Sequence, residues 1–459
     1  MIIVRFGWNR SARGILTAAT TLVATLLAVG MGTAARAAPA NPAPVVPVDN
    51  PFAGVKGYVD AGWAGHVETS AAAVGGADAD RIRTLRNVPT AVWLDRIADI
   101  ATLTDHLDAA LKQGAGYITL VLYDLPDKNC WSTVSDAELH ASENGLQRYK
   151  TEFIDPIAAI VARPEYQSLR VATIIEPRSL AYLVTGLNTF SCTMAAQSGV
   201  YIAGIRYALD TLTTLPNVYT YLDVAHAGWT GWENTFTPLA ALVTATVQGT
   251  SAGLRALDGI ATNVADYIPT LEPFLPNPEL NVGGAPVRSA RFYEGNPYFG
   301  ERDYATAMRQ ALIARGFPTS LGAVIDTSRN GWGGPDRPAA VSTSADLDTY
   351  VNESRLDRRP HRFSPCNQNG AGLGARPVAG PLPGVDAYLW IKPPGESDGA
   401  GGPLLPPGTD RLVDPMCDPS RPNRWDQSVQ TNALRNAPAA GDWHHEQFLM
   451  LVRNAYPPL

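Results

Sequence analysis

Short apolar runs rich in Val, Ile and Tyr recur along the chain, at 55–60, 90–95, 117–125, 171–176, 218–223, 259–267, 323–326 and 388–392. Each is separated from the next by a longer, Ala-rich stretch of helical character. Strands alternating with helices predict parallel pairing, and a series this long predicts closure into one α/β fold, a parallel β/α barrel of TIM-like kind. Every run ends at or near a polar residue: Asp60, Asp95, Asp124, Glu176, Asp223, Asn263, Asp326 and Lys392. In a parallel barrel the carboxyl ends of the strands share one face, so these side chains are expected to converge on a single cleft. Taken singly, each is equally well explained as a turn former or helix cap. Beyond Trp332, Gly and Pro crowd 370–384 and 393–408, which predicts long loops that wall or cover the cleft.

The amino-terminal segment alters where this fold begins. Arg5, Arg10 and Arg13 precede an apolar run at about 15–31 and the sequence Ala35-Arg36-Ala37. That order predicts a secretory signal peptide over 1–37; an uncleaved anchor is the alternative, since the run is near the lower limit for a bilayer span. Residues 38–51 read as a Pro/Ala-rich linker, and 52–459 as a single large domain. A secreted, extracellular monomer with no membrane attachment after cleavage is expected. Only 17% of residues are charged and the net charge is −7, without the Lys/Arg clusters that nucleic acids or anionic lipids require, so a neutral ligand is expected. The cysteines Cys130, Cys192, Cys366 and Cys417 form no CxxC pair of the kind that binds zinc, and neither metal nor cofactor is expected. An even count in an exported chain predicts two disulfides, with three pairings open.

Aromatic residues accompany the strand ends: Trp93 before Asp95, Tyr123 before Asp124, Trp229 and Trp232 after Asp223, and Trp390 before Lys392. Flat rings beside carboxylates suit sugars, whose C–H faces stack while their hydroxyls hydrogen-bond, although core packing explains any one of them alone. Seven motifs then occur in order: VPTAVWLD at 88–95, YDLPDKNC at 123–130, IIEPRSLAYLVT at 174–185, YLDVAHAGWTGW at 221–232, ATNVADY at 261–267, DTSRNGW at 326–332 and WIKPPGESDG at 390–399. Through them the chain resembles glycoside hydrolase family 6, the inverting cellulases and cellobiohydrolases, over essentially its whole mature length. The resemblance implies a distorted parallel β/α barrel of cellobiohydrolase type, a tunnel or cleft for β-1,4-glucan or a related neutral polysaccharide, and disulfides Cys130–Cys192 and Cys366–Cys417. It implies that Tyr123 and Asn129 flank the reacting sugar and that Asp398 stands at the place of the base. Lys392 and Glu396 match sugar-binding positions, and Ser135 matches a serine that positions water. Trp93, Asp223, His226, Trp229, Trp232 and Asn263 match residues along the glucan path, and Trp390 joins this set by its place before Lys392.

The departures from the family pattern bear on chemistry. In the family's IEPDSL motif the aspartate is the general acid, and Arg178 occupies its place. Inverting hydrolysis needs a carboxylic acid to protonate the leaving oxygen and a second carboxylate roughly 6.5–9.5 Å away to activate water. A guanidinium, with a pKa above about 12, keeps its proton, and its charge opposes the oxocarbenium-like transition state. Asn129 replaces an aspartate held to keep the acid protonated, and Pro365 stands where a sugar-stacking Trp is common. Glu176, Asp127 and Glu138 are the carboxylates that would substitute as acid, each also explained as structural or solubilising. The reading is therefore a secreted β-1,4-glucan hydrolase of family 6 type whose ordinary hydrolysis is weak or lost. The alternative is a catalytically inactive glucan-binding protein at the cell surface or in polysaccharide handling.

Overall fold

A computed structural model describes residues 47–132, 137–402 and 413–459. The segment 1–37, most of the linker and Ser135 lie outside the described residues. In chain order the strands are β1 (Val92–Leu94), β2 (Tyr117–Leu122), β3 (Arg170–Ile175), β4 (Val218–Asp223), β5 (Gly259–Thr262), β6 (Asn281–Val282), β7 (Ala285–Pro286), β8 (Gly322–Asp326), β9 (Val378–Leu382) and β10 (Val385–Leu389). Eight form one curled sheet in the order β1-β2-β3-β4-β5-β8-β10-β9. All neighbours pair in parallel except β9, which runs antiparallel to β10, while β6 and β7 make a separate ribbon. This is the parallel α/β barrel that the run pattern predicts, distorted as the resemblance implied.

Two elements differ from expectation. The run at 55–60 forms no strand: Gly57 alone bridges to Tyr117, and Asp60 then accepts from the Trp63 N–H at 2.6 Å. That cap commits the following residues to the helix Ala61–Val74, leaving one residue free to pair. Conversely, β9 arises in a stretch expected as loop, because Pro383-Gly384, with Gly384 at φ 79°, turns the chain back on itself.

Period-2 alternation sorts the side chains. Tyr117, Val121, Ala172, Ile174, Tyr221, Ala261, Val324 and Leu389 fill the barrel interior. Leu120, Leu122, Ile175, Leu222, Ile260 and Ile325 face the surrounding helices. No ladder joins β1 to β10, but Ala91 N–H donates to Trp390 O at 3.1 Å and Trp93 Nε1 donates to Ile391 O at 2.8 Å. Disulfides Cys130–Cys192 and Cys366–Cys417 pin the loops above the sheet, in the pairing the resemblance implied. Among the described residues, no helix is long and apolar enough to cross a membrane.

Candidate functional site

The strand-end side chains do not converge as a group on the cleft. Four of the eight, Glu176, Asp223, Asn263 and Asp326, hold loop backbone beyond the strands instead. Glu176, after β3, accepts from the N–H groups of Asp124 and Leu125 beyond β2. Asp223, at the end of β4, accepts from the N–H of Arg178 at 2.8 Å and of Ala225 at 3.0 Å. Asp326 accepts from Ala265, Ser328, Ile391 and Lys392, and Asn263 donates to Asp326 O and Ile268 O. The loops so held carry non-glycine residues at positive φ: Glu176 47°, Arg178 69°, Ala225 62°, Asn263 60° and Ala265 57°. Such backbone persists only where the surroundings over-determine it, and these buried acceptors do so. Burial pushes Asp223 up to about 6 and Glu176 up to about 7. It pushes Asp124 up to about 9, against the opposing pull of Lys128.

Above this layer lie three cavities that share walls. The first, of about 410 Å³, is lined by Trp93, Asp95, Tyr123, Asn129, Arg178, Lys392, Glu396, Asp398 and Asp414, among others. The second, about 570 Å³, shares Asn129, Arg178, Pro365 and Asp414 with it and adds Trp131, Tyr182, His226, Trp229, Arg362 and Trp425. The third, about 380 Å³, continues past Trp131, Trp229 and Trp425 to Trp232 and Phe363. Aromatic rings run along the second and third: Trp131 stacks with Trp229 at 6.0 Å, Trp425 lies 5.1 Å from both Trp131 and Phe363, and Phe363 stacks with Trp232 at 6.0 Å. Flat, apolar and rimmed by polar groups, such a channel suits a chain of sugar rings.

Asp398 is held at the inner wall by four contacts. Arg329 Nη1 donates to both its oxygens at 2.8 and 2.9 Å, the Tyr267 hydroxyl donates at 2.6 Å and Asn367 N–H at 2.8 Å. Its side chain keeps 14% exposure, so it still meets solvent. Gly395, at φ 97°, makes the preceding turn possible, since a Cβ there would lie 2.5 Å from the Trp443 ring. Lys392 pairs with Glu396 at 3.1 Å, and its ammonium lies 5.5 Å from the centre of the Trp93 ring.

Arg178 begins the helix Ser179–Thr185 from the wall common to the first two cavities. Its Nη2 donates to Ala265 O at 3.2 Å, the same carbonyl that accepts from Arg329 Nη2 at 2.7 Å. Burial opposes its charge, but Tyr182, Asp266, Tyr123 and Asp398 outweigh that and raise its pKa further. Asn129 turns its Oδ1 to the Tyr182 hydroxyl at 2.9 Å. His226 pairs with Asp266 at 3.1 Å, and burial lowers its pKa despite that partner.

Of the sequence candidates, the cavities bring together Trp93, Tyr123, Asn129, Arg178, His226, Trp229, Trp232, Lys392, Glu396 and Asp398. Asp223 and Asn263 line none of these cavities, because their polar atoms are spent on loop backbone. Trp390 is also displaced from the sugar-binding set: it is 1% exposed, donates to Ala375 O and packs edge-on against Trp63 in a separate core. None of Glu176, Asp127 and Glu138 lines these cavities; Asp127 meets His140, and Glu138 accepts from Ile97 N–H. One further carboxyl reaches the wall common to the first two cavities, that of Asp414, which sequence reading missed. It lies on a Pro-rich loop with no strand to mark it, three residues before Cys417. Burial raises its pKa, against the pull of Met416 N–H, Arg424 and Arg178. Trp131, Phe363 and Trp425 likewise lie on loops that no strand marks, while Arg329 lies within the DTSRNGW motif.

Comparison with known proteins places this geometry among glucan-cleaving enzymes. The profile described as "Glycosyl hydrolases family 6" matches residues 52–455. Exoglucanase A of Cellulomonas fimi is 44% identical over 474 aligned positions, covering 99% of this chain and 53% of that protein, so the chain spans about half the length of that relative. 1,4-beta-D-glucan cellobiohydrolase C of Emericella nidulans is 32% identical over 419 positions, covering 89% of this chain and 79% of that one. Among solved structures, the Cel6B catalytic domain of Cellulomonas fimi superposes with a TM-score of 0.87 at 44% identity, covering 90% of this chain and 97% of that one. Cellobiohydrolase II of Humicola insolens, in complex with glucose and cellotetraose, gives 0.70 at 30% identity over 89% of this chain and 100% of that one.

Proposed function

The chain belongs to glycosyl hydrolase family 6, and from that premise we propose that it is an exported barrel that binds β-1,4-glucan but hydrolyses it weakly or not at all. One observation carries the reading: the wall common to the first two cavities includes Arg178, at the position where the family resemblance puts the general acid. Loss of a general acid costs about 10²–10⁴ in rate. Glu176, Asp127 and Glu138 lie away from the cavities and offer no direct replacement. The base side keeps its carboxylate, Asp398, and the ring-lined channel keeps its stacking surfaces. A purely binding protein is the second reading, favoured by Asn129, whose Oδ1 is already given to Tyr182. Export is supported by the basic, apolar and small-residue order of 1–37 together with two disulfides.

The test incubates the purified protein with cellohexaose and with an aryl cellobioside whose leaving group needs no protonation. Slow or absent cleavage of cellohexaose, beside its binding in calorimetry, is the expected result. Cleavage of cellohexaose as fast as by a family member with the aspartate would overturn it. Turnover of the aryl substrate alone marks a surviving base; turnover of neither, with binding retained, marks the binding protein.

A further inference from the structure

The charges around Arg178 are already balanced without it. Asp398 is matched by Arg329, and Asp266 by Arg359 at 2.9 Å and His226 at 3.1 Å. Asp223 meets the backbone N–H of Arg178 and not its guanidinium. Asp414 is pushed by burial toward its neutral form. Among the described residues Arg178 makes no ion pair: its side chain meets the Tyr182 hydroxyl and donates to Ala265 O, a carbonyl that also accepts from Arg329. Three further guanidiniums line the second cavity: Arg362, Arg421 and Arg424. Arg421 pairs with Asp418 at 3.5 Å, and Arg424 lies over the Trp131 ring at 5.1 Å. Arg362 is 2% exposed; one nitrogen donates to Tyr298 O, while Nε and Nη1 are buried without a hydrogen-bond partner among the described residues. A buried donor left unmade is costly, and four guanidiniums against two carboxyl groups, Asp266 and Asp414, make the wall of the second cavity an anion-attracting surface.

We propose that the second cavity takes an acidic sugar, a β-linked uronic acid unit whose carboxylate meets Arg178 beside aromatic faces that hold the ring. The proposal rests on the glycan-binding reading above and changes its substrate class, from a wholly neutral glucan to one bearing carboxylates. A planar fork of N–H donors fits a carboxylate in two-point contact, and a neutral hydroxymethyl group at the same carbon offers it no charge. The ring stack of Trp131 and Trp229, 6.0 Å apart, and Trp425 supply the apolar wall that a bare anion site would lack.

The test is calorimetry on the mature chain with two ligands of equal length: cellohexaose, and a β-1,4-linked hexamer oxidised to uronate at C6. Charge-assisted hydrogen bonds predict roughly ten- to hundredfold tighter binding of the uronate hexamer at low salt. That preference should shrink in roughly 0.5 M salt, where the screening length is about 4 Å. It should also shrink in Arg178→Gln and, by less, in Arg424→Gln. Equal affinities, or a preference unchanged in Arg178→Gln and in salt, would overturn the proposal while leaving glucan binding intact. Binding of the uronate hexamer alone supports the acidic-sugar site and refutes the neutral-glucan reading. Binding of neither refutes both.

Discussion

Restoring two carboxyl groups is the sharpest test of the role given to residue 178. In Arg178→Asp the backbone has little reason to move: the residue 178 N–H still donates to Asp223, and Asp adopts φ near 69° more readily than Arg. The loss is the 3.2 Å bond to Ala265 O, whose carbonyl retains Arg329 at 2.7 Å. A carboxyl at this place enters a buried site beside Asp223 and Asp266, so desolvation and like charge both raise its pKa, as a proton donor at neutral pH requires. Arg178 also lowers Asp223, Asp266 and Asp414, so removing it pushes all three upward. Adding Asn129→Asp keeps an acceptor for the Tyr182 hydroxyl, now at 2.9 Å from Asn129. A general acid contributes about 10²–10⁴ in rate, or about 2.7–5.4 kcal/mol of barrier. The double variant should therefore cleave cellohexaose about 10²–10⁴ times faster than the natural chain, with an aryl cellobioside changing only a few-fold because its leaving group needs no proton. A variant that is folded, binds cellohexaose and gains no activity on it refutes the reasoning.

Asp398→Ala should abolish whatever turnover of an aryl cellobioside the natural chain shows, by about 10²-fold or more, while leaving the dissociation constant for cellohexaose within a few-fold; unchanged turnover removes Asp398 from the base position. Thermal stability should fall from about pH 5 to about pH 8. Burial raises Asp223 to about 6, Glu176 and Glu272 to about 7 and Glu301 to about 8. Such groups stabilise most below their unfolded values near 4, and that contribution is lost as pH climbs to the folded ones; a Tm flat across this range sinks the assignment. Below about pH 4 the sign reverses for Asp266, which, despite burial, His226 and Arg359 hold well under the usual range. Finally, Cys366→Ser with Cys417→Ser opens a loop with a sequence separation of 51 and should cost roughly 4 kcal/mol, read from denaturant midpoints; a loss under about 1 kcal/mol would mean that the loop is held by other contacts.

The barrel was legible because burial writes a period into sequence: runs such as 117–125 and 171–176 pair as β2 and β3 with little shift of boundary. The destination of a strand-end side chain is a tertiary property, and there the pattern misled. Asp95 and Asp223 end their runs alike, yet one lines a cavity and the other disappears beneath a loop, because only Asp223 has two N–H groups of positive-φ backbone turned toward it. Trp93 and Trp390 each stand two residues before a polar end, yet Trp93 meets the cavity across the open seam while Trp390 turns toward Ala375 and Trp63. Loop residues such as Asp414 and Trp425 carry no period at all, so nothing local marks them as walls of the site.

The frame beneath residue 178 explains how a change of chemistry there leaves the barrel unchanged. Asp223 fixes its N–H, and the loops on either side are tied by Glu176 and Asp326. No side chain at 178 is needed for any of these bonds. Loss of the acid alone would be met equally by Asn or Gly, both easier at φ 69° than Arg, whose left-handed backbone costs on the order of 1 kcal/mol. Arginine keeps that strain and adds a fork of donors to the wall of two cavities in which Asp398 and Asp266 are already paired with other arginines and Asp414 is pushed toward the neutral form. Release from catalysis alone would not require such a group, whereas the proposed recognition of a carboxylate would.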